Sequence, residues 1–70
     1  MPQLKTLREN KGLSVKALAN KVGVTVMSIY RYEQGKRIPT LPIARRMATA
    51  LGVTVDELIK RTEPPEDEAI

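Results

Sequence analysis

Glycine punctuates this chain. Gly12, Gly23, Gly35 and Gly52 each follow a short stretch whose apolar residues recur at intervals of three and four, and each stands where a helix would stop. No strand-like alternation lasts beyond four residues, so the chain is confined to several short helices packed on one another. With 70 residues, no cysteine and no histidine, it has neither a disulfide nor the usual zinc ligands to staple them. A chain this short buries only about 60% of the surface its unfolded form exposes, so apolar packing alone has to hold the fold.

Five helices can be placed. Leu4 and Leu7 mark the first, with Lys5, Arg8 and Glu9 on other faces, ending near Asn10, Lys11 and Gly12. Ser14 stands at an N-cap, and Val15, Leu18, Ala19 and Val22 recur at helical spacing up to Gly23. Thr25 caps a third helix that runs through Ile29, Tyr32 and Glu33 and stops at Gly35. After the loop Lys36-Arg37-Ile38-Pro39, Thr40 caps a fourth, with Pro42 in its first turn and an apolar stripe of Leu41, Ala44, Ala48 and Leu51. Gly52 ends it, and Thr54-Val55-Asp56-Glu57 has the pattern of a capping box before Val55, Leu58 and Ile59. The expectation is an all-α, compact five-helix bundle over residues 1–61, followed by a disordered acidic tail over 62–70 that is Pro-rich and lacks a periodic face.

Charge divides along the same line. Residues 1–61 hold all twelve Lys and Arg against four acids, Glu9, Glu33, Asp56 and Glu57, whereas residues 62–70 carry four acids and no base. A body with this basic excess suits a polyanion such as nucleic acid or an anionic surface. Nothing resembles a signal peptide or a membrane span, which points to a cytoplasmic protein. Acid–base and nucleophilic catalysis usually recruit His or Cys, and two serines without a base do not replace them, so an enzyme is not expected. No metal site, cofactor or small-molecule ligand is signalled.

Two short helices joined through Gly23-Val24-Thr25 have the form of a helix-turn-helix, with Gly23 for the tight backbone and Val24 as a plug into the core. Over residues 3–60 the chain resembles the lambda-repressor-like helix-turn-helix regulators, the XRE or Cro/cI family. The resemblance rests on Leu4, Leu7, Arg8, Lys11-Gly12-Leu13-Ser14, Leu18-Ala19, Val22-Gly23-Val24-Thr25, Ser28-Ile29, Glu33, Gly35-Lys36 and Pro39-Thr40-Leu41. It continues through Ala48, Ala50-Leu51-Gly52-Val53 and Asp56-Glu57-Leu58. It implies a sequence-specific regulator of transcription that binds double-stranded DNA, most simply a repressor acting as a homodimer on a palindromic operator, with the third helix in the major groove.

Helical geometry divides that third helix independently of the resemblance. At about 100° per residue, Thr25, Ser28, Ile29, Tyr32 and Glu33 fall on one arc, which packs inward, and Val26, Met27, Tyr30, Arg31 and Gln34 on the other, which stays free. The resemblance implies base contacts at Thr25, Val26, Met27 and Arg31, and Arg31 has the guanidinium for a bidentate bond to guanine. Val26 and Met27 replace polar residues common in the family. They would pack on thymine methyl groups, the alternative being a core-edge valine and an incidental surface methionine, while Tyr30 would reach a phosphate or a base edge.

Lys36 and Arg37 occupy the family's phosphate-contacting loop, and Ser28, Ser14 and Gln34 are further phosphate candidates. Ser28 has the alternative of a hydroxyl bonded back to its own helix. Val15 stands where many relatives carry a bridging Gln, which leaves the backbone N–H groups at that helix start to hold a phosphate. Arg8 and Glu33 match a structural ion pair between the first and third helices, and Arg45 and Arg46 read as a solvated face. The competing function is a protein-interaction module, such as an antitoxin or adaptor, whose apolar third-helix face docks on another protein.

Overall fold

The computed structural model describes residues 2–59; the bundle's boundary at 61 and the tail at 62–70 lie outside them. Five α-helices follow in order: α1 (Pro2–Asn10), α2 (Val15–Val22), α3 (Val26–Glu33), α4 (Leu41–Leu51) and α5 (Val55–Ile59). All the regular structure among the described residues is helical. Helix α2 lies at the centre, packed against both α3 and α4, while α1 rests on α3 and α5, and α5 on α4.

Local chemistry fixes where these helices begin and end. The Ser14 hydroxyl accepts the Ala17 N–H at 3.0 Å, and the Thr25 hydroxyl accepts that of Ser28 at 3.1 Å, so α2 and α3 open on side-chain caps. At α5 the Thr54 hydroxyl accepts the Glu57 N–H at 3.1 Å and donates to the Glu57 carboxylate at 3.4 Å. Thr40 has the extended backbone of an N-cap but its hydroxyl caps nothing, a departure from expectation. Leu41 and Pro42 follow it, and proline has no N–H to offer.

Eleven residues from all five helices form the core: Leu4; Leu18, Ala19 and Val22; Ile29 and Tyr32; Ala44, Met47, Ala48 and Leu51; and Leu58. Two residues correct the α4 stripe read from spacing. Met47 is fully buried and belongs to it, whereas Leu41 is 56% exposed and does not. Leu41 is the first residue of α4, and helical side chains tilt toward the N-terminus, so its side chain overshoots the last core layer. Val24 does plug the α2–α3 turn, half-buried against the core.

Gly52 closes α4 at φ +70°, and its N–H reaches back to the helix carbonyls. A Cβ there would lie 3.2 Å from the Lys11 side-chain end. Lysine can swing away, but the left-handed backbone cannot accommodate a Cβ freely. Gly52→Ala is therefore expected to destabilise the fold by about 1 kcal/mol, the strain outweighing the loss of unfolded-chain entropy. In thermal unfolding this is a fall in Tm of roughly 4–8 °C. An unchanged or raised Tm would show that the α4 stop does not depend on glycine.

Candidate nucleic-acid interface

The α2–α3 turn is built from two backbone choices. Gly23 takes φ +83°, its N–H and that of Val24 both return to the Ala19 carbonyl, and the chain then passes through extended Thr25 directly into α3. Left-handed φ is where a residue without Cβ is favoured, so Gly23 allows two eight-residue helices to meet across so short a link.

Helix α3 is anchored on one side and bare on the other. Ile29 is fully buried and Tyr32 nearly so, with Ser28 and Glu33 half-buried beside them. Opposite stand Val26, Met27 at 56% exposure, Tyr30 at 45%, Arg31 and Gln34. Thr25 departs from the inward arc: it is exposed, because as N-cap it precedes the helical turn and follows a different backbone course. Thr25 and Ser28 share a hydroxyl–hydroxyl hydrogen bond of 3.0 Å. Each hydroxyl has one proton and two lone pairs, so this pair and the Ser14 cap leave bonding capacity for a further partner.

Rotation of α3 about its axis is set by a buried ion pair. Arg8 Nε donates to Glu33 Oε2 at 2.7 Å, with side chains only 11% and 8% exposed, and Arg8 Nη1 donates to the Leu13 carbonyl at 2.9 Å. One guanidinium thus ties α1, the loop before α2 and the C-terminal end of α3. The bond to Leu13 carries no sequence signal, since any residue supplies a carbonyl.

The α3–α4 loop is also held. Gln34 caps α3, and the N–H groups of Gly35 and Lys36 return to the carbonyls of Tyr32 and Arg31. The Arg37 guanidinium lies 5.9 Å from the Tyr32 ring centre, at the outer range of a cation–π contact. Pro39 is buried, whereas Ile38 stands 85% exposed. Lys36 is exposed and, like Arg31, has no carboxylate partner among the described residues. The structure thus sets the α3 face beside the Lys36–Arg37 loop, while Ser14 lies at the start of α2, on a separate element.

A bare, partly apolar recognition-type helix behind a Gly–Val–Thr turn, fixed by buried contacts to two other helices, is a helix-turn-helix. A family model described as helix-turn-helix matches residues 4–58. The chain belongs to the XRE-type helix-turn-helix family. This is a family of DNA-binding regulators of transcription.

Among its relatives is a provisionally named HTH-type transcriptional regulatory protein of Pyrobaculum aerophilum, 36% identical over 90% of this chain and 25% of its own length. The SPbeta prophage-derived HTH-type transcriptional regulator YonR of Bacillus subtilis, itself uncharacterised, is 37% identical over 86% of this chain and 56% of its own. The cryptic phage CTXphi transcriptional repressor RstR of Vibrio cholerae is 30% identical over 76% and 47%. The chain spans between a quarter and somewhat over half of these relatives. No helix among the described residues is long and apolar enough to cross a membrane.

Proposed function

We propose that residues 1–61 form a sequence-specific, double-stranded-DNA-binding module of a transcriptional regulator, with 62–70 as an acidic appendage, and that the regulator is a repressor. The observation that carries this reading is the bare face of α3, where Arg31 lies among Val26, Met27 and Tyr30 while the opposite face is locked into the core. Apolar groups of this size on the surface of so small a domain call for a partner. The major groove offers guanine acceptors to a guanidinium and thymine methyls to apolar side chains on the same helix.

In this reading α3 enters the major groove, Arg31 bonds guanine O6 and N7, and Val26 and Met27 pack on thymine methyl groups. Thr25 and Tyr30 reach neighbouring base edges. Lys36 and Arg37 hold phosphates beyond the groove, joined by Gln34, Ser28 and Ser14 with its helix N-terminus. Two copies on a palindrome would place their α3 helices one helical turn of DNA apart, about 34 Å, each reading a half-site.

Phosphate contacts release counterions, so affinity should fall with salt by about 0.9 log units per contact and per tenfold salt. Lys36→Gln and Arg37→Gln are each expected to reduce that slope by about one contact while leaving sequence preference intact. Fluorescence anisotropy on a labelled duplex across a salt series measures both. Absence of duplex binding at every salt concentration would instead favour a protein as the partner of α3, an association expected to be insensitive to salt and to these two variants yet lost in Met27→Ala.

A further inference from the structure

Away from the α3 face, α2 and α4 enclose a shallow groove of about 490 Å³ lined by Lys21, Arg45, Arg46, Thr49 and Ala50. Its three cations have no carboxylate partner among the described residues. Arg46 leans toward the turn: a Cβ at Gly23 would lie 3.8 Å from its guanidinium. Between the cations, the aliphatic stems of Lys21, Arg45 and Arg46 and the Ala50 methyl supply apolar wall. A cationic rim over apolar walls fits an extended peptide that presents acids and small apolar residues together.

The chain contains such a peptide. Residues 62–70 read Thr-Glu-Pro-Pro-Glu-Asp-Glu-Ala-Ile, with four acids, two prolines and no base. The meeting requires the segment to reach the groove from the end of α5: fully extended, the seven residues from Ile59 to Glu66 would cover about 22 Å at 3.1 Å per residue. Helix α5 packs on α4, along which Arg45 to Leu51 spans only about 9 Å. A tether this short also holds the acids at high effective concentration near the cations.

The geometry points to the Lys21–Arg45–Arg46 groove as the docking site of the chain's own acidic segment, with Glu66, Asp67 and Glu68 on the cationic rim. This goes beyond DNA reading by α3. Its deciding comparison is made without DNA, so its failure would leave the proposed function standing.

The test compares amide NMR spectra of the 15N-labelled full chain with those of the quadruple variant Glu63→Gln, Glu66→Gln, Asp67→Asn, Glu68→Gln. The described core lies within residues 4–58, so this variant keeps the fold. Shift differences are expected at Lys21, Arg45, Arg46, Thr49 and Ala50, independent of protein concentration. They should collapse in salt of about 1 M, where charges are screened beyond about 3 Å. Arg45→Gln with Arg46→Gln should erase them in the full chain.

Absence of differences, or their spread to Arg31, Lys36 and Arg37, would overturn the proposal. Differences that grow with concentration would assign the groove to a second copy's acidic segment and overturn it equally. A groove unmoved by tail neutralisation but shifted by an added duplex of arbitrary sequence would belong to DNA instead.

Discussion

Glu33→Ala is expected to lower the free energy of unfolding by about 3–5 kcal/mol, because it leaves the Arg8 guanidinium buried without its carboxylate. Small domains have total stabilities of about 5–15 kcal/mol, so this one substitution removes a large part of what holds the fold. Arg8→Ala should cost a similar amount, since it strands Glu33 and also frees the Leu13 carbonyl that Arg8 satisfies. Replacing both, as Arg8→Met with Glu33→Leu, should cost less than either single change, because no buried charge remains unpaired. Urea unfolding of the wild-type chain, the two alanine variants and their combination, Arg8→Ala with Glu33→Ala, closes a double-mutant cycle, with the apolar pair measured beside it. A loss below about 1 kcal/mol in both single variants would place the pair among surface bridges and contradict its role in fixing α3.

Arg31→Ala carries the second large effect, on recognition and not on folding. Arg31 is exposed and unpaired among the described residues, so the thermal transition should hardly move. A bidentate guanidinium–guanine contact is worth about 1–3 kcal/mol of discrimination, so preference for the favoured base should fall roughly 5- to 150-fold. Arg31→Lys separates charge from geometry: an ammonium keeps the attraction to DNA but lacks the planar fork. It should retain the salt dependence and lose most of the base preference. A lysine variant with undiminished preference would mean that Arg31 touches a phosphate.

Much of this fold is legible in the residues because the signals are local. Ser14, Thr25 and the Thr54–Glu57 box announce helix starts with side chains that bond a few residues away. Gly12, Gly23, Gly35 and Gly52 all take positive φ in the structure, so each stop was written in its residue type. The inward and outward sides of α3 followed from its period, with Thr25 misplaced because a cap does not share the rotation of the helix it opens.

What escaped depends on tertiary packing. Met47 and Leu41 both fit the period of the α4 stripe, and only the packing shows that the first is buried while the second overhangs the core. The Arg37–Tyr32 contact, the Arg8 bond to a backbone carbonyl and the burial of Pro39 arise from where the loops lie in space. Lys21 and Arg45–Arg46 stand over twenty positions apart, so only the α2–α4 packing shows that they share a groove. Which base each α3 residue reads is harder still, since DNA shape and deformability also enter the preference.

The central claim is that the bare face of α3 reads DNA sequence. Selection of bound duplexes from a randomised library at near-physiological salt, run in parallel with the wild-type chain and Arg31→Ala, tests it most directly. The account predicts enrichment of a two-fold symmetric site carrying a guanine in each half, with that guanine no longer selected by the variant. Recovery of unenriched sequences by both proteins, or of the same site by both, would contradict it.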